Sequence, residues 1–178
     1  MDHLQIRFRN NNVGVACIYC NYKEQTVQTV TNLVASILKQ LVQDRDMISE
    51  NVESFYHHHQ DHGTQPTLDE VVKVLDTELQ SYSRVFLVVD ALDECANTGS
   101  LVKLLRVLRS LRGPTNLMVT SRQLPFIEQY FRNTMRQEIR ADDDDVRKYV
   151  ENLLFDYPEL ERLQEIIARR IVENVRGM

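Results

Sequence analysis

The run Val85-Phe86-Leu87-Val88-Val89-Asp90 constrains this chain more than any other segment. Five consecutive apolar residues, three of them Val, are too few for a buried helix and suit a strand covered on both faces. Such strands belong to parallel sheets. This one stops in acids: Asp90, then Asp93 and Glu94. Ligands of open α/β sheets bind at the carboxyl ends of the strands, so these carboxylates stand where a ligand would. A hydrophobic strand followed by acid is the Walker B arrangement. There the first Asp holds Mg²⁺ through water, and the later acids orient the water that attacks a γ-phosphate. A strand-end Asp also serves simply to cap the next turn. Three acids in the order Asp-Ala-Leu-Asp-Glu favour the phosphate-metal reading.

The usual companion of that strand is lacking. A phosphate loop reads Gly-x-x-x-x-Gly-Lys-Ser/Thr, and its amides and lysine cradle the phosphates. The five glycines here are Gly14, Gly63, Gly99, Gly113 and Gly177; none precedes Lys, and no two have the spacing. Half of a nucleotide site is legible.

The 178 residues suffice for one domain with a sizeable core. A net charge of −5 argues against a nucleic-acid binder, which carries a basic excess. No stretch approaches the ~18 apolar residues of a membrane helix, and residues 1–5 are too polar for a signal peptide. Three cysteines do not make a disulfide framework. The chain reads as intracellular, with a cytoplasmic location expected.

Alternating strand and helix patterns predict an α/β fold with a parallel sheet. Residues 2–9 read as the end of a helix and residues 13–20 as a strand. Thr26 opens an amphipathic helix through Val27, Val30, Leu33, Val34, Ile37, Leu38 and Leu41. A second helix carries Met47, Ile48, Val52, Phe55 and Tyr56 and yields to a polar loop from His57 to Pro66. Thr67 and Glu70 form a capping box for a helix running to Leu79. Ser100 caps the helix after the acid segment, and Gly113-Pro114 ends it. Residues 116–122 form a second buried strand, Pro125 opens a short helix, and residues 137–141 form a last strand. Asp142 to Asp145 start a further helix, with one more from Pro158.

Other clusters have plainer readings. Ser121 and Arg122, at the end of a strand expected beside the acid-tipped one, suit hydrogen-bonded and bidentate contacts to a γ-phosphate, or else mark a strand dissolving into loop. Cys17-x-x-Cys20 lacks a second ligand pair, and residues three apart on a strand face opposite ways, so buried structural cysteines are expected. His57, His58, His59 and His62 read as a solvated loop able to hold Zn²⁺ or Ni²⁺ adventitiously. Lys103, Arg106, Arg109 and Arg112 read as the solvated flank of a crossover helix, and Asp142 to Asp145 as acids complementing a helix start.

The segments Tyr19-Cys20-Asn21-Tyr22-Lys23-Glu24-Gln25, the acid-tipped strand through Cys95, and Thr120-Ser121-Arg122 occur in this order. With them the chain resembles NACHT domains, most closely the fungal nephrocystin-3-like group, over essentially its whole length. The resemblance implies a signalling (STAND-type) P-loop ATPase or GTPase whose nucleotide state switches oligomerisation. By motif match Asp90 is similar to the Mg²⁺ aspartate, Asp93 and Glu94 to the hydrolytic acids, and Arg122 to the sensor-1 arginine, with Ser121 beside it. Mg²⁺ and ATP or GTP are implied for the intact family, with none expected to bind tightly to this chain alone.

Residues 1–178 are thus read as a partial NACHT-like domain. It is a three-layer P-loop NTPase-like parallel sheet flanked by helices, with the first strand and phosphate loop missing. Residues 141–178 lead toward a winged-helix region. The expectation is a piece carrying the Walker B and sensor-1 half and inactive alone; the alternative is a non-catalytic module that packs on intact relatives. Nucleotide in the intact family, a homo-oligomer or intact NACHT relatives are the expected partners, with neither nucleic acid nor membrane.

Overall fold

A computed structural model describes residues 12–43, 45, 47–95 and 97–175. The helix expected at residues 2–9 lies outside them. Two compact units divide the chain, residues 1–132 and 133–178.

The first unit is α/β. Strands β1 (Val13–Tyr19), β2 (Arg84–Asp90) and β3 (Thr115–Val119) form a parallel sheet in the order β1-β2-β3. The acid-tipped strand is therefore the central one. Between β1 and β2 run α1 (Val30–Gln43), α2 (Glu50–His62) and α3 (Leu68–Leu79). Helix α4 (Thr98–Ser110) crosses from β2 to β3, and the short α5 (Pro125–Tyr130) follows. Parallel strands require such crossovers, and apolar stripes at helical spacing supply the surfaces that pack on the sheet.

The register explains the core. Ala16 pairs with Leu87, Ile18 with Val89, and Leu87 with Leu117, so all point to one face. That face packs against Val34, Ile37 and Leu41 of α1, Leu75 and Leu79 of α3, and Leu104 and Leu105 of α4. On β2, Val85, Leu87 and Val89 are buried, whereas Phe86 and Val88 on the other face are only half-buried. Burial on both faces, expected from the unbroken apolar run, is complete on one.

The outer edge of β1 is dressed by side chains. The Gln40 amide of α1 accepts from Cys17 N at 2.9 Å and donates to Cys17 O at 2.8 Å. Gln28 donates to Tyr19 O at 3.0 Å. At β3 the ladder uses Pro114 O and Thr120 N, so the amides and carbonyls of Leu117 and Val119 face away from β2. Met118 is 58% exposed.

Behind the sheet lies a buried acid that sequence reading missed. Glu78 of α3 is 3% exposed. Its Oε1 accepts from the Ser49 hydroxyl at 2.5 Å, and its Oε2 lies 3.7 Å from Arg45. Arg45 stacks 4.1 Å over the Tyr82 ring and donates to its hydroxyl at 2.9 Å, while Tyr82 donates to Leu41 O at 2.6 Å. The network ties together the ends of α1 and α3 and the N-cap of α2.

Several boundaries differ from the expected ones. Helix α1 starts at Val30, because Tyr22–Glu24 forms a 3-10 turn instead and leaves Val27 60% exposed. Met47 and Ile48 precede α2 and are exposed, and the four histidines lie within α2, which ends at Gly63 in the left-handed region. Asn97, not Ser100, caps α4: its Oδ1 accepts from Ser100 N at 2.8 Å. The capping box of Thr67 and Glu70 is present.

The second unit, taken by itself, is helical: α6 (Asp143–Phe155), a 3-10 segment Pro158–Leu163 and α7 (Gln164–Val175). Val150, Leu154 and Ala168 form its core, and Arg147 donates to both Glu165 oxygens at 3.0 Å. Asp142 caps α6. Residues 137–141 are irregular rather than a strand, with Ile139 86% exposed. An isolated apolar residue among Gln137, Glu138 and Arg140 offers no second buried side chain to hold a pairing.

Candidate functional site

The parallel register brings Tyr19, Asp90 and Val119 to one end of the sheet, the carboxyl end. All the residues singled out around the acid segment collect there. At the tip of β2 the chain turns sharply through Ala91, whose φ of +52° lies in the left-handed region. For a residue with a Cβ this costs about 1–2 kcal/mol. The turn is held because Ala91 N donates to Thr120 Oγ1 and Leu92 N to Thr120 O, both at 2.9 Å. A 3-10 turn, Leu92–Glu94, follows, anchored by the fully buried Leu92. That anchor points Asp93 back toward the end of β3.

Thr120 also donates to Asp90 Oδ1 at 2.5 Å. One hydroxyl therefore links the strand-end carboxylate to the strained turn. The Asp90 main chain is bound from the other side, its carbonyl accepting from Cys20 N at 3.0 Å. The Asp90 carboxylate remains half-exposed at the rim.

Asp93 and Arg122 form a closed pair. Asp93 Oδ1 accepts from Arg122 N at 3.0 Å and Oδ2 from Arg122 Nε at 2.5 Å. The Asp93 side chain is only 4% exposed, that of Arg122 79%. Burial pushes the Asp93 carboxyl up, but the hydrogen bonds from the Arg122 side chain and amide outweigh it and hold it below the ordinary carboxylate value. The guanidinium is held above its usual value by the same bond.

Glu94 is half-exposed and, among the described residues, accepts one long bond, 3.3 Å, from Tyr22 N. Ser121 is exposed, and its hydroxyl is spent on the neighbouring Arg122 carbonyl at 2.8 Å. Asp90, Asp93, Glu94 and Arg122 are thus gathered, while Ser121 turns to its own backbone. Thr120, to which sequence reasoning gave no role of its own, braces Asp90 and Ala91. Strand parity is the signal that could have found it, since Thr120 continues the register that pairs Met118 with Val88 and so faces with Asp90. Among the described residues no three His, Cys, Asp or Glu side chains are placed to hold a metal ion together.

Beneath the acid turn, Cys20 and Cys95 are buried side by side. A hydrogen bond with Cys95, and then burial, pushes the Cys20 thiol up, so it stays protonated. Burial likewise raises Cys17, which faces the other side of the sheet. All three are free thiols with a packing role.

Fold and site together define a parallel α/β domain whose central strand ends in a braced carboxylate. The sequence model of the family described as Nephrocystin 3, N-terminal matches residues 1–122, and the chain belongs to that family. No match was found among the curated proteins or the solved structures. Among the described residues no helix is long and apolar enough to cross a membrane.

Proposed function

We propose that this chain is the metal-and-sensor half of a nucleotide-switched signalling NTPase of the NACHT type, working in the cytoplasm. The observation that carries the reading is the carboxyl end of the sheet: Asp90 at the tip of the central strand, braced by Thr120 and flanked by the Asp93–Arg122 pair. Hard carboxylate oxygens at a half-exposed rim suit Mg²⁺, which binds through one or two carboxylates and keeps its waters. Asp90 would hold that ion. Glu94 is the better placed of the two later acids to orient water, because Asp93 is tied at both oxygens to Arg122. Arg122 would meet a γ-phosphate by exchanging Asp93 for it, which gives the pair a switching character; Ser121 lies beside it.

The sequence holds no Gly-x-x-x-x-Gly-Lys-Ser/Thr. The 178-residue polypeptide should therefore bind neither ATP nor GTP at micromolar concentration in calorimetry. Joined in register to a family member's phosphate-loop strand, it should bind Mg²⁺-nucleotide, and Asp90→Ala should then lower turnover. Failure of the joined protein to bind, or full turnover with Asp90→Ala, sinks the reading.

A second reading is favoured by one observation, the outward-facing backbone of Leu117 and Val119 on β3. It makes the chain a non-catalytic module that adds its sheet to a second copy or to an intact relative. Sedimentation of the purified chain tests it: a strict monomer that ignores its relatives would exclude it.

A further inference from the structure

Helix α2 carries four of the chain's five histidines in its last two turns, and their surroundings differ. His57 sits edge-on to the Tyr56 ring, with centroids 5.7 Å apart. His59 turns inward against Phe55 at 4.9 Å, with Nδ1 paired to the Thr64 hydroxyl at 2.8 Å and a buried Nε2 3.9 Å from Glu70. His58 and His62 are both exposed and stand one helical turn apart, with ring centroids 4.7 Å apart and planes tilted by 36°. His62 Nδ1 lies 2.7 Å from the carbonyl oxygen of His58. A carbonyl only accepts, so Nδ1 carries the proton and Nε2 of the neutral ring presents its lone pair. One ring N–H on a backbone carbonyl and the other nitrogen free is how a metal-bound imidazole is oriented.

We propose that His58 and His62 form a two-imidazole chelate for a borderline transition-metal dication, Zn²⁺ or Cu²⁺. Two histidines four residues apart on one helical face are the ligand pair of known metal helices, and imidazole selects these ions over Mg²⁺ and Ca²⁺, which take oxygen. The helix is preorganised at both ends. Ser49 accepts from Val52 N, and at the other end Gly63 N donates to Gln60 O while Thr64 N donates to His59 O at 3.0 Å. No residue of α2 is fully buried; Phe55 and His59 pack inward, while His58 and His62 stand in solvent. A metal bridge between His58 and His62 is available only to the helical form and therefore stabilises it. Because no third His, Cys, Asp or Glu among the described residues joins them, water completes the coordination, unlike a closed structural zinc site.

The test is zinc chloride titrated into the tag-free 178-residue protein by calorimetry, with thermal unfolding followed at each zinc concentration. One site per chain is expected, with a rise in Tm. His58→Ala or His62→Ala should each weaken binding by about 100-fold, the gain a second linked ligand brings, and abolish the rise. His57→Ala should bind as the parent does. Both chelating rings are exposed, so these variants should fold, which circular dichroism checks. The Nε2 resonances of His58 and His62 should move together on zinc addition. The proposal is overturned if wild-type affinity persists in either single variant, if His57→Ala loses as much, or if alkylating the thiols abolishes binding. Absence of binding below millimolar zinc overturns it equally.

Discussion

Replacing Arg45 by Met strands a carboxylate inside the first unit. Glu78 is 3% exposed, with one oxygen bonded to Ser49 and the other 3.7 Å from Arg45. Removing one partner of a buried pair costs about 3–5 kcal/mol, because the other charge stays buried. Arg45 is itself 24% exposed, so solvent screens part of its attraction and the lower end applies. Its stacking over Tyr82, worth roughly 0.5–2 kcal/mol, is lost as well, while Met keeps an apolar stem. The sum is about 4 kcal/mol. At roughly 2–4 °C per kcal/mol for a chain this size, Tm should fall by about 8–16 °C. Glu78→Gln in the same background keeps an acceptor for Ser49 and removes the stranded charge. The double variant should therefore be more stable than Arg45→Met by about 1–2 kcal/mol. Urea denaturation followed by circular dichroism measures all three proteins. A double variant no more stable than Arg45→Met would refute the reasoning, since the charge would then not be what Arg45 compensates.

Three further outcomes are expected. A carboxyl held below its ordinary value in the folded state stabilises above the unfolded pKa, and that contribution is lost as pH falls through the folded one. Stability should therefore drop below about pH 4, and Asp93→Asn should flatten this acid limb in pH-dependent denaturation. Thr120→Val should cost about 1–3 kcal/mol by leaving Ala91 N and Asp90 without their partner, while Thr120→Ser should cost far less on the same assay. Gly113→Ala would place a Cβ 2.5 Å from Leu79 Cβ, and should destabilise by about 1–3 kcal/mol in thermal unfolding.

The central strand was legible because five apolar residues ending in Asp have few alternatives, and its neighbours followed from the alternation of elements. The capping box was legible because Thr67 and Glu70 are close in sequence. What depended on distant partners was not. Nothing local distinguishes Glu78 from an exposed helix acid; its burial comes from Ser49 and Arg45, 29 and 33 residues earlier. Val27 continued the apolar stripe of α1 by spacing alone, but Asn21 binds Lys23 N and starts a competing 3-10 turn. The histidines appeared to end a helix because they are polar and stand before Gly63, yet Gly63 terminates α2 only after His62. At the site, strand ends in a parallel sheet were enough to expect Asp90, Asp93, Glu94 and Arg122 at one rim, where they lie. The strained Ala91 and the bracing Thr120 were hidden because their roles exist only once β2 and β3 lie side by side.

The two rims of the sheet set a limit on how copies can join. Gln40 occupies the amide and carbonyl of Cys17 and Gln28 the carbonyl of Tyr19, which blunts the carboxyl half of β1 as a template, while the backbone of Leu117 and Val119 on β3 faces away from β2. A building block with one sticky side reaches a stoichiometry of two and stops, because the twofold pair consumes both templates. A block with two sticky sides has no such terminus and lengthens without end. Were copies to pair through β3, two glutamines on the opposite rim would favour a self-limiting pair over a growing fibre. Substituting both with alanine would then open the second rim to pairing as well.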